Sequence, residues 1–123
     1  MKLEDFKEKF TLHDSGIEQV LVLEDKRELR LLIDLCNYDQ TWYKDDSEPE
    51  HIQGWLIFNE VVNFSMEPLV QEIDGQILTT TLEAGTLKII FSNFSVRAAG
   101  GIQSDTVWIT VEAANVEWCP IEM

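Results

Sequence analysis

The sequence predicts a mainly β domain, an antiparallel sandwich or partly open barrel of about seven or eight short strands with a short N-terminal helix. Three observations carry that reading. Apolar and polar residues alternate with period two along several segments, most cleanly over residues 28–36 and 105–119. Pro68, Gly75, Gly85, the Gly100-Gly101 pair and Pro120 punctuate the chain at the intervals of a β architecture. Helical spacing of apolar residues is confined to the N-terminus, where Leu3, Phe6 and Phe10 lie among Lys2, Glu4, Asp5, Lys7, Glu8 and Lys9.

The elements follow in order. Residues 11–16 break the helix, and residues 17–24 are rich in branched apolar side chains. In residues 28–36, Leu29, Leu31, Ile33 and Leu35 fall on one face and Glu28, Arg30, Leu32, Asp34 and Cys36 on the other. That alternation marks a strand with one face buried. The polar run Glu24-Asp25-Lys26-Arg27 turns the chain between the two segments, which pair as a hairpin.

Residues 37–51 read as a long acidic loop containing the breaker Pro49. Strands resume over residues 52–64, with an interruption at Asn59-Glu60, and Pro68 ends that segment. Residues 69–74, Gly75 and residues 76–83 read as a further hairpin. Residues 86–96 form a strand with Leu87, Ile89 and Phe91 on one face. After the Gly-rich loop at 98–101, Val107, Ile109 and Val111 alternate against Trp108, Thr110 and Glu112. The expected core is Leu31, Ile33, Phe58, Ile89, Phe91, Ile109 and Val111. Trp55 and Trp108, inside strands, are expected in the core or half-buried. Residues 1–123 form one domain, a size that buries enough surface to fold without staples.

The charge bears on partners. The chain carries 23 acidic and 9 basic side chains, a net charge of −14. Phosphate backbones and anionic membranes would be repelled. A basic protein would be attracted, rapidly and with a strong dependence on salt. The same charge also serves solubility. Apolar runs fall short of the ~20 residues of a membrane span, and the charged start of the chain lacks the apolar stretch of a signal peptide. Cys36 and Cys119 are expected as free thiols, and a cytoplasmic location is expected.

The candidates for chemistry read as structure. His13-Asp14-Ser15 holds the residue types of a nucleophilic triad, but three consecutive residues on one turn do not form the spatial relay that a triad needs. Their expected role is to tie a turn through side-chain to backbone hydrogen bonds. His13, His51, Cys36 and Cys119 lack zinc-ligand spacing, and Asp45-Asp46-Ser47-Glu48 lacks the register of a calcium loop. Ala99-Gly100-Gly101 lacks the lysine of a phosphate loop. No catalytic residue, metal ligand or cofactor is assigned.

The acidic loop is the expected partner surface, through Asp39, Trp42, Tyr43, Asp45, Asp46, Glu48 and Glu50. Aromatic residues bordered by acids suit an interface with a basic partner. The competing reading is that Trp42 and Tyr43 fold back to cover a sheet end.

One resemblance adds to this. Leu12-His13-Asp14-Ser15-Gly16-Ile17 is followed by the Leu29, Leu31, Ile33, Leu35 alternation and then by Leu56-Ile57-Phe58-Asn59-Glu60-Val61. This succession, over roughly the first half of the chain, resembles small bacterial β proteins that open with a Leu-His-Asp-Ser turn. They include immunity proteins of polymorphic toxin systems. The resemblance implies a protein that neutralises a cognate toxin domain by direct binding, with a structural His-Asp pair. The alternative is a small β-domain enzyme or ligand-binding protein. The sequence does not set the oligomeric state.

Overall fold

Alternating strands that each bury one face can close on themselves, and here they do. The computed structural model describes residues 1–44, 48–96 and 100–121. Helix α1 (Leu3–Lys9) precedes six strands: β1 (Gly16–Leu23), β2 (Glu28–Cys36), β3 (His51–Glu67), β4 (Gly75–Glu83), β5 (Thr86–Val96) and β6 (Ile102–Pro120). All pairings are antiparallel, and the order β1-β2-β3-β6-β5-β4 closes as β4 returns to β1. The mainly β class with one short N-terminal helix holds; the expected sandwich or partly open barrel is a closed barrel, with six strands among the described residues.

Two features lower the strand count. The expected interruption at Asn59-Glu60 does not end the strand: Glu60 takes φ 53°, and a β-bulge follows it, where the register against β6 shifts between Val61 and Asn63. A bulge bends a strand and increases its twist without ending it, so β3 runs on to Glu67. Residues 69–74 are not a strand. The hairpin of that region joins β4 to β5 through Ala84 and Gly85, at φ 50° and 79°. Positive φ at both central residues is the backbone of the tight turn that matches strand twist.

The interior is filled with side chains. All of the expected core residues, Leu31, Ile33, Phe58, Ile89, Phe91, Ile109 and Val111, are fully buried. Trp108 departs from expectation. It lies on the outward face of β6, 48% exposed, with the Lys88 ammonium 5.1 Å from its ring centre. Trp55 is half-buried on β3.

Helix α1 has seven residues and no side-chain cap at Lys2. A helix this short depends on tertiary packing. Glu4 and Asp5 in its first turn and Lys7 and Lys9 in its last complement the helix dipole. It contacts β4 and β6, and Leu3, Phe6, Phe10 and Leu12 join the barrel core. Met1 and Val116 exchange two backbone hydrogen bonds, of 3.0 and 2.8 Å. Among the described residues no helix is long and apolar enough to cross a membrane.

Candidate functional site

His13, Asp14 and Ser15 form the clasp that closes the barrel. β1 meets β4 through two register pairs, Gly16 with Gln76 and Ile17 with Gly75. The turn before β1 extends that seam. Asp14 N donates to the Ile77 carbonyl at 3.0 Å, and Ile77 N donates to the Ser15 carbonyl at 2.8 Å. His13 Nδ1 donates to the Leu78 carbonyl at 2.7 Å, and Gln76 Nε2 donates to Asp14 Oδ1 at 3.2 Å. Ser15 is fully buried, and its Oγ accepts from Cys36 N at 2.9 Å. The hydroxyl is thus engaged with β2, while His13 is directed at β4. Asp14 takes φ 67°, a left-handed conformation that aspartate tolerates better than most residues.

Beside this clasp, two buried amides fix the segment after β2. Asn37 begins a short 3-10 turn, Asn37–Asp39. Its backbone N donates to the Glu50 carbonyl at 2.7 Å and its Nδ2 to the Pro49 carbonyl at 2.7 Å, while its Oδ1 accepts from Trp42 Nε1 at 2.8 Å. Gln40 Nε2 donates to the carbonyls of Thr11 and Cys36 at 2.6 and 2.9 Å, and its Oε1 accepts from Thr11 N at 2.9 Å. The two ends of the loop and the exit from α1 are therefore joined. Neither Asn37 nor Gln40 was singled out in the sequence. The available signal was residue type: an amide side chain can satisfy a loop's backbone donors and acceptors together.

Trp42 is half-buried, with its ring edge-on to Phe10 at 5.2 Å. It covers the barrel core, as the competing sequence reading had it, and its indole N–H is used by Asn37. Tyr43 is also half-buried. The aromatic ring of this segment that faces outward is Tyr38, 49% exposed and edge-on to His51 at 6.2 Å. Glu50 is exposed, and Asp39 and Glu48 are partly exposed. Asp45 and Asp46 lie outside the described residues.

Local electrostatics act on two groups. The Cys36 thiol beside Tyr38, reinforced by the Asp39 charge, pushes the Tyr38 hydroxyl up to about 12. Burial pushes the Cys36 thiol up. Such a thiol stays protonated and unreactive at neutral pH. His51 Nδ1 lies 3.8 Å from Asp34 Oδ2, an ion pair when the ring is protonated. Cys36 and Cys119 are both free. Among the described residues no cluster of three or more His, Cys, Asp or Glu side chains is arranged to hold a metal ion.

Comparison with protein-family models, with curated proteins and with solved structures finds no match. Among the described residues, the arrangement can present Asp39, Glu48, Glu50 and one outward aromatic ring from a loop anchored at both ends.

Proposed function

We propose that this chain is an acidic cytoplasmic binding protein and, most concretely, an immunity-type protein that neutralises a cognate bacterial toxin domain by direct contact. The observation that carries the reading is the pinning of the acidic segment by Asn37 and Gln40. Loop ends already held in place lose little ordering entropy on binding, so more of their contact energy appears as affinity. The net charge of −14 then attracts a basic surface from a distance.

Within the segment the roles divide. Trp42 supports, through its packing on Phe10. Tyr38 supplies the aromatic anchor, flanked by Asp39, Glu48 and Glu50, with Asp45 and Asp46 as the remaining acids of the loop. The function needs no chemistry from this chain: occlusion of the partner's working surface suffices, and the proposal assigns no catalytic role.

The test is capture of the product of the neighbouring gene on the immobilised chain, followed by co-expression of the two in a growth-rescue assay. Stoichiometric capture with rescue is expected, and Tyr38→Ala should weaken capture by about 2 kcal/mol or more if it is a central anchor. A toxic neighbouring product that the chain neither captures nor neutralises would overturn the reading.

A further inference from the structure

A groove of about 450 Å³ opens beside the last residues of β5. One wall is the segment 72–74, and the other is formed by Phe94 and Val96 of β5 with Ile102 of β6. Asn93, 2% exposed, ties the first wall to β5. Its Nδ2 donates to the Glu72 carbonyl at 3.0 Å and its Oδ1 accepts from Asp74 N at 2.8 Å. Phe94 N donates to the Asp74 carbonyl at 3.0 Å. Ile73, between the two acids, packs on the barrel core, while Glu72 and Asp74 are exposed. The groove is therefore preformed by the fold.

One wall is apolar and the other acidic. Val96 and Ile102, directly opposite each other in the β5–β6 register, are 82% and 77% exposed. Phe94, two residues before Val96 and so on the same face, is 41% exposed. Single exposed apolar side chains are ordinary, but a contiguous group bordered by polar ones marks an interaction surface. Among the described residues neither the Glu72 nor the Asp74 carboxylate is in an ion pair. An adjoining groove shares Glu72 and Ser95 and adds Asp105. No lysine or arginine lines either groove among the described residues; Arg97 lies outside them.

We propose that this groove docks an extended segment of a partner protein in which basic and apolar side chains alternate. In an extended chain successive side chains point to opposite sides. The apolar ones would lie on Phe94, Val96 and Ile102, and the basic ones would meet Glu72 and Asp74. Charge selects this occupant. A second copy would bring its own Glu72 and Asp74 to the contact, and an anionic ligand would face both acids, so like charges would oppose in either case. A purely apolar ligand would cover the two carboxylates without pairing them, at a cost in desolvation. A basic side chain next to an apolar one satisfies both walls. The groove shares no residue with the segment 37–50, so the proposal goes beyond the function given above and is tested separately from it.

The probe is an end-blocked octapeptide alternating lysine and leucine, titrated into the full chain and followed by backbone amide chemical shifts. Saturable binding is expected, with the shifts clustered at residues 72–74, 94–96 and 102. Counterparts alternating lysine with serine, or glutamate with leucine, should bind more weakly by about tenfold or more. Val96→Ser with Ile102→Ser should weaken the lysine–leucine peptide about tenfold, through the lost apolar contact. Glu72→Gln with Asp74→Asn should weaken it about threefold and flatten its salt dependence. Glu8→Gln with Asp25→Asn removes the same charge from exposed positions outside the groove and should weaken it less. All of these side chains are exposed, so circular dichroism and melting temperature should match the parent. Absence of saturable binding would overturn the proposal. So would shifts that cluster at residues 37–50 or spread over the whole surface, a lysine–serine or glutamate–leucine peptide that binds as tightly, or a Glu8, Asp25 pair whose loss matters as much as that of Glu72 and Asp74. A chain that self-associates in sedimentation velocity, and is made monomeric by Val96→Ser with Ile102→Ser, would give the groove to a second copy and overturn it too.

Discussion

Asn37 and Gln40 tie the ends of the acidic segment to each other and to the exit from α1. Removing a buried amide leaves its backbone partners without water or a substitute, at about 1–3 kcal/mol. Gln40→Ala orphans Thr11 N and the carbonyls of Thr11 and Cys36, so its unfolding free energy in urea should fall by about that amount. A variant as stable as the parent would show that the amide is dispensable. Tyr38 offers a second reading at this scale. Its folded-state value of about 12 lies above the ordinary phenol value of 10. The interaction therefore stabilises the fold below pH 10 and is lost as the pH rises through about 12. Ultraviolet titration should show a tyrosine ionising near 12, and Cys36→Ala should lower that midpoint by removing its first cause. Residue type alone could not have separated Trp42 from Tyr38. Both are aromatic residues beside acids, and only the hydrogen bond to Asn37 and the contact with Phe10 turn one inward.

At the scale of elements, the seam between β1 and β4 is the place where closure is thinnest and most specific. A Cβ on Gly75 would lie 2.5 Å from Phe91 Cδ2 and 3.0 Å from both Ile17 Cγ2 and the Ser92 carbonyl oxygen. Gly75→Ala should cost about 1–3 kcal/mol through overpacking, measured by thermal or chemical unfolding. Asp14 at φ 67° sets a finer comparison: Asp14→Gly should exceed Asp14→Ala in stability by about 1 kcal/mol, because only glycine takes that conformation without strain. Equal stabilities would place the value of Asp14 in its side chain alone. The strands were legible where one face is buried for the full length, as in β2 and in β5 from Leu87 to Phe91. They were less legible in β3, because the polar pair Asn59-Glu60, which ordinarily signals a turn, stands just before a bulge inside a continuous strand, and at residues 69–74, whose apolar Val70 and Ile73 pack on the core without pairing. Trp108 was misplaced for a related reason. Period two assigns it to the face opposite Val107 and Ile109, but a tryptophan's bulk argues for burial, and the alternation wins.

The whole molecule is a filled barrel with a strongly negative exterior. Ile33→Ala and Phe91→Ala remove fully buried side chains from that interior and should each cost about 2–5 kcal/mol, read from the unfolding midpoint. Closure itself was not legible. The alternation says that each strand buries one face, and a sandwich satisfies that as well as a barrel does; the choice rests on the two register pairs of β1 with β4 and the few hydrogen bonds that His13, Asp14 and Ser15 make to β4. The exterior carries the functional claim, proposed above, that an acidic segment anchored at its ends binds a basic partner. The most direct measurement is the association and dissociation rates of the captured partner, at low and high salt, for the parent chain and for the triple variant Asp39→Asn, Glu48→Gln, Glu50→Gln. The account predicts association that slows steeply as salt rises, a triple variant that associates more slowly with a shallower salt dependence, and dissociation rates that change little. Association that is equally fast in both proteins and indifferent to salt would contradict it.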